Sequence, residues 1–161
     1  MATAKENMEL LENLLDEYEQ KLGLPKFVED NKFNDVEGYL SYTRDQLDQL
    51  APDVANEISF RLVSYAIYLG RAYNREISRQ NWAKSEIDNI IGPKLNNYTG
   101  YGYKEKFPAA LADDEYAMAL EEIRQYSVQR SDRLNYVSSN INKLADTLRN
   151  IAQSKMKMRE G

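Results

Sequence analysis

Six side chains that could read a polyanion lie along one face of a long helical pattern. When residues 53–91 are wound at 100° per residue, Arg61, Tyr68, Arg71, Arg75, Arg79 and Trp82 fall within a sector of roughly 80°. Arginines one turn apart track a phosphate backbone, and rings between them stack on bases, which is how single strands are usually held. The same residues also fit a solvated charged face whose rings are packing edges. Glu86 lies on this face near its end and weakens the stripe there. Lys84 follows closely, and a second stretch adds Lys94, Tyr98, Thr99, Gly100, Tyr101, Gly102, Tyr103, Lys104, Lys106 and Phe107. Tyrosines among glycines and lysines make a loop able to stack on bases and touch phosphates. The alternative is a loop that folds its rings over the helix ends. Gly100 and Gly102 do not make a phosphate loop, since no Gly-Lys-Ser/Thr follows and no strand precedes.

Catalytic chemistry finds little support. The chain has no Cys and no His, so thiolate metal sites, disulfides, the commonest metal ligand and the commonest general base are missing. Helical di-iron proteins need Glu-x-x-His pairs, which this composition does not supply. Ser, Lys and Glu are plentiful, but no spacing marks an activated nucleophile. The expectation is therefore a protein that is not an enzyme, with no cofactor and no metal. The carboxylates of Glu6, Glu9, Glu12, Asp16, Glu17 and Glu19 are read as a solvated face of the first helix.

The elements that position these residues are helices. Seven Gly and four Pro in 161 residues punctuate long patterns. Thr3 with Glu6 forms a capping-box signature for a helix that runs to Leu22, where Gly23 and Pro25 end it. Met8, Leu11, Leu15, Tyr18 and Leu22 give it a narrow seam. After a connection from Gly23 to Phe33, Asn34 and Glu37 mark a second, short helix with a stripe of Val36, Leu40, Thr43, Leu47 and Leu50. Pro52 and Asp53 open the third, whose core face carries Ile58, Leu62, Ala66, Leu69, Tyr73, Ile77, Ile87 and Ile91. It is expected to span about 38 residues, roughly 57 Å, up to Gly92 and Pro93. Gly70, inside it, predicts a bend or a close helix contact. Residues 93–108 read as loop. The last helix runs from Asp113 and Asp114 to about Met158.

Its second half carries the cleanest seam: Leu134, Val137, Ile141, Leu144, Leu148 and Ile151. Such a seam late in a long helix often meets copies of itself, and these six are the expected oligomerisation residues. Ser127 and Arg130 interrupt it upstream, so either the register shifts or the partner changes there. Lys155, Lys157 and Arg159 have the sign that the helix C-terminus prefers.

The fold class is therefore all-α: an elongated helical protein with two short N-terminal helices, two long helices and an intervening Tyr/Gly-rich loop. It is read as a single helical domain in three consecutive parts: acidic 1–52, basic and aromatic 53–108, and an oligomerisation helix 109–161. The net charge of −5 hides an asymmetry. Residues 1–57 hold 5 basic and 14 acidic groups, the rest 16 and 12. The acidic end could contact a basic partner or keep away from nucleic acid. No apolar run is long enough for a membrane span and no leader precedes the first helix, so a soluble cytoplasmic protein is expected.

The order of features over residues 57–161 resembles the UvsY family of phage recombination mediators: a Lys/Arg-bearing helix, the Tyr98-Thr99-Gly100 turn with flanking glycine and lysines, and a final long helix carrying Leu134-Asn135-Tyr136. The first 50 or so residues lie outside the resemblance. The family's aromatic near the extreme C-terminus is missing, with Met156 and Met158 in its neighbourhood. The resemblance implies a ring-like homo-oligomer that binds single-stranded DNA and helps a RecA-class recombinase replace single-strand binding protein, in an infected host cell if phage-encoded. It would place Arg71, Arg75, Arg79, Lys84, Lys94 and the Tyr98–Tyr103 loop on DNA. The competing class is a structural or adaptor protein, such as a virion component, acting through coiled-coil self-association. The two differ over the cationic stripe, which an adaptor has no need to keep open; pairing with the acids of the first helix would favour the adaptor.

Overall fold

The computed structural model describes residues 1–24 and 34–161, and every regular element among them is helical. The α-helices are α1 (Ala4–Lys21), α2 (Val36–Leu40), α3 (Arg44–Asp48), α4 (Pro52–Ile91), α5 (Tyr103–Ala112) and α6 (Glu115–Glu160). A 3-10 helix, Gly92–Asn97, follows α4 directly. None of these helices is long and apolar enough to cross a membrane. The chain is thus all-α with two long helices of 40 and 46 residues. It forms two compact units, Met1–Phe27 with Asn74–Ser131, and Val28–Tyr73 with Asp132–Gly161. These do not coincide with the three consecutive segments read from charge, because α4 and α6 each contribute to both.

In the first unit, α1 begins as its sequence dictates. The Thr3 hydroxyl accepts from the Glu6 N–H (3.2 Å) and the Glu6 carboxylate accepts from the Thr3 N–H (2.7 Å), so both ends of the capping box are present. Gly23, with φ +77°, follows the last turn in the conformation that glycine adopts most readily. The expected connection through Pro25 to Phe33 lies outside the described residues. Ala4 of α1 joins Ile87, Ile91, Ala110, Ala117 and Leu120 in a core flanked by Trp82, Tyr98 and Phe107. Met8, Leu11 and Leu15 of the predicted α1 seam are half-buried, whereas Tyr18 and Leu22 are exposed.

The second unit packs the N-terminal half of α4 against the C-terminal half of α6. Ile58, Leu62, Ala66 and Leu69 meet Ile141, Ala145, Leu148, Ile151 and Ala152, with Val36 and Leu47 covering them. Ser59 Oγ donates to the Ala145 carbonyl (2.9 Å) and Ser138 Oγ to the Ala66 carbonyl (3.3 Å), which fixes the two helices antiparallel and in register. The predicted second helix is instead two. Asp35, not Asn34, precedes α2, and the chain breaks at Ser41 and Tyr42. Thr43 leaves the apolar stripe to cap α3, in a second capping box with Gln46. Lys155 Nζ donates to the carbonyls of Asp48 and Leu50 (2.6 Å to the latter), closing the end of α3 rather than only balancing its own helix dipole.

Two further expectations change. Residues 93–108 are not a loop: the 3-10 helix and α5 occupy most of them, with Pro108 inside α5. The α6 seam is covered by the same chain, for Ile141, Leu148 and Ile151 are buried against α4, Leu134 and Leu144 pack at the edge, and Val137 remains exposed. Five of the six predicted oligomerisation residues thus have an intrachain partner. Leu148→Ala is expected to lower stability by about 3 kcal/mol in urea denaturation, since Leu148 is fully enclosed. The exposed Tyr136→Ala, by contrast, should stay within about 0.5 kcal/mol of wild type.

Candidate nucleic-acid interface

The arginine stripe of α4 is not an open surface. Arg75 is only 8% exposed. Its guanidinium donates to Asp16, to Glu19 at 2.8 Å and to the Glu12 carbonyl at 3.4 Å, all on α1. Burial opposes its charge, but the hydrogen bonds and charges of Asp16 and Glu19 outweigh that cost and raise its pKa further. Arg79 pairs with Glu12 of α1 and with Glu76 one turn before it (2.6 Å). Glu12, Asp16 and Glu19 are therefore counter-charges of the fold, which corrects their reading as a solvated face.

The remaining stripe residues are engaged as well. Arg61, in the second unit, bonds Glu57 (3.2 Å) and Asp35 (2.5 Å), and both raise its pKa. Tyr68 stacks on Tyr65 with centroids 6.1 Å apart and planes at 15°, at the edge of the core. Arg71 is half-buried and also engaged within the chain. Trp82 packs on the core of the first unit. A face 80° wide in projection is thus divided among α1 acids, the acids Asp35 and Glu57, a neighbouring ring and the core.

Beyond α4, the cations and rings remain closer to solvent. Lys94 is half-exposed and bonds Asp114 at 2.7 Å; that hydrogen bond raises the lysine pKa and lowers the aspartate's. Asp114 also caps α6 by accepting from the Ala117 N–H (2.9 Å). Tyr98 is half-buried, and its hydroxyl donates to Asp113 (2.9 Å), which pushes its pKa up. Gly100 has φ +144°, and a Cβ there would come within 2.9 Å of the Glu105 side chain. Glu105 in turn accepts from the Tyr101 N–H (2.8 Å). The glycine thus lets the chain close tightly on the first turn of α5, leaving the Tyr101 side chain fully exposed beside exposed Lys104 and half-exposed Lys106.

Tyr103 stacks on Phe107 (5.0 Å) and donates to Asp88 (3.2 Å). With Lys84, Ile87, Glu121 and Arg124 these residues line a cleft of about 240 Å³. Lys84, Lys94, Tyr98, Tyr101, Tyr103, Lys104 and Lys106 therefore all belong to the first unit, around the end of α4 and the start of α5. Acids accompany them: Asp88, Glu105, Asp113 and Asp114.

Sequence reasoning missed a polar layer in this unit. Glu76 is buried and accepts from both Arg79 and Arg130 (2.9 Å), Gln80 donates to Ser131 (3.0 Å), and Ser127 is fully enclosed. The signal was present as the interruption of the α6 seam at Ser127 and Arg130. The partner helix does not change at that interruption: α6 faces α4 on both sides of it, through Glu76 and Gln80 before the seam and through apolar residues along it. Arg124, bonded to Glu121 at 2.6 Å, carried no periodic signal. No protein-family model, no curated protein and no solved structure matches the chain.

The lowered pKa of Asp114 means that its pairing stabilises the fold above the ordinary aspartate value of 3.8, with the contribution lost as pH falls through the lowered folded value. Asp114→Asn retains a capping oxygen but not the charge. The expected outcome is a lower midpoint than wild type at pH 7, a gap that begins to narrow in thermal melts near pH 3.8 and closes once the pH falls past the lowered folded value.

Proposed function

We propose that the protein is a non-catalytic single-stranded DNA-binding protein of the recombination-mediator kind, assisting a RecA-class recombinase against single-strand binding protein. The observation that carries this reading is the exposed ring of Tyr101, held out by the Gly100 turn beside Lys104 and Lys106, with Lys84 and Lys94 in the same unit. A solvated ring next to flexible ammonium groups has the chemistry of a base-stacking, phosphate-contacting surface. The turn that bears it is also one of the features whose order carries the likeness to UvsY. Arg75 and Arg79 are withdrawn from the DNA-contacting set, because their guanidinium groups face α1. Distributed contacts would hold the strand in an extended or wrapped path on a homo-oligomer, and the recombinase would be favoured by that path or by direct contact.

One observation favours the other class. The pairing of Arg75 and Arg79 with Glu12, Asp16 and Glu19 gives the stripe a structural role, which favours a helical structural or adaptor protein acting through self-association, since such a protein has no need to keep the stripe open. Fluorescence anisotropy of a labelled single-stranded oligonucleotide, beside a duplex of equal length, separates the two. The mediator reading expects salt-sensitive binding that prefers the single strand. Lys104→Ala with Lys106→Ala should then reduce the slope of log K against log salt by about 0.7 for every phosphate that is no longer neutralised. Tyr101→Ala should weaken binding by about tenfold, the equivalent of one stacked base. Absence of binding at low salt would leave the adaptor reading in its place.

A further inference from the structure

The second unit leaves uncovered one apolar row that its own core does not use. Phe60, Val63 and Ile67 of α4 are 73%, 38% and 63% exposed. Their spacing of three and four residues continues to Gly70, and it sets a line beside the sector that packs on α6. Gly70 costs a helix interior about 1 kcal/mol relative to Ala. Among the described residues nothing requires it, for a Cβ at this position would have no neighbour within 4 Å. A glycine in line with large exposed side chains is a place where another helix comes close.

The order of residues states which helix. If α4 is laid antiparallel on a second α4 so that Val63 faces Ile67 of the partner, then Phe60 faces the partner's Gly70, and the two-fold axis repeats both pairings. The largest side chain of the row meets the position with none, as a knob meets a hole. On the outer flank of the row, Glu57, Ser64 and Arg71 follow at intervals of seven residues. The same alignment brings Glu57 beside the partner's Arg71 on both sides of the axis, with Ser64 near its own copy at the centre. Glu57 is largely exposed and bonds Arg61, and Arg71 has contacts of its own chain; the crossed pairs add to these. A parallel alignment would set Phe60 on Phe60 and Gly70 on Gly70 and would keep Glu57 and Arg71 of the two copies on opposite sides of the seam, with neither shape nor charge complementarity.

We infer that the exposed row Phe60, Val63, Ile67 and Gly70 is the seam of a two-fold antiparallel dimer of this chain. Such an interface is isologous and closes on itself, so it adds one copy and stops. The inference rests on the self-association that both functional readings invoke and assigns it to α4 rather than to the α6 seam.

Sedimentation velocity of the full chain over a range of concentrations tests it, with far-UV circular dichroism to confirm that each variant is folded. The wild type is expected to dimerise, and Ile67→Asp, at an exposed site, to remain helical but monomeric. Glu57→Arg alone and Arg71→Glu alone should each weaken the dimer by about tenfold, and the double reversal should restore it. Gly70→Leu should raise the melting temperature of the monomer through helix propensity while abolishing the dimer, since it fills the hole that receives Phe60. A wild type that stays monomeric overturns self-association altogether. An oligomer indifferent to Ile67→Asp and to the charge reversals overturns this seam alone and leaves self-association standing on another face.

Discussion

The contact on which the first unit depends is the clasp of two α4 arginines by three α1 carboxylates. An arginine as buried as Arg75 cannot shed its charge, so the fold must bring acceptors to it or leave a desolvated cation. Asp16 and Glu19, one turn apart on α1, do this from one side, and the Glu12 carbonyl adds a third acceptor. Arg79 repeats the arrangement with Glu12 and passes it to Glu76, which Arg130 of α6 also bonds. Three helices are thus joined by one chain of charges, and the axial position of α1 on α4 is set by it. Apolar contacts alone would fix α1 weakly, since its buried contribution is Ala4 with half-buried Met8, Leu11 and Leu15.

This clasp changes what the charge asymmetry means. The excess of acid in the first 57 residues invites a search for a basic partner. Part of it already has one, in the arginines of α4. What remains of the candidate interface for an external polyanion lies around the end of that helix and the start of α5, where Lys84, Lys94, Lys104 and Lys106 are interspersed with Asp88, Glu105, Asp113 and Asp114. A surface of mixed sign gives weaker, more local attraction than a continuous arginine track. Selectivity for a single strand would then come from stacking on Tyr101 more than from charge.

Much of the fold was legible because it is written locally. The Thr3–Glu6 box, Gly23, the core face of α4 and the two long helices all follow from spacing within a few turns. The split between α2 and α3 was also written locally, as Thr43 with Gln46, but Thr43 fits an apolar stripe through its methyl group equally well, and the stripe obscured the cap. Pro108 closes the stretch read as loop and instead lies within the ten-residue α5. The candidate site was less legible for a different reason. Periodicity reports which residues share a face and is silent on which helix covers that face. An arginine row turned toward solvent and one turned toward α1 have the same sequence. The interruption at Ser127 and Arg130 was the one local sign that polar groups meet in the interior, and Glu76, which Arg130 bonds, and Gln80, which bonds the adjacent Ser131, lie some 50 residues away.

The claim that α4 keeps its arginines for α1 is tested most directly by a double-mutant cycle between Glu19→Gln and Arg75→Met, read by urea denaturation. A coupling energy of about 1–2 kcal/mol is predicted for this partly buried, charge-assisted pair. Additive effects, with coupling near zero, would contradict the clasp and return the arginine stripe to the surface.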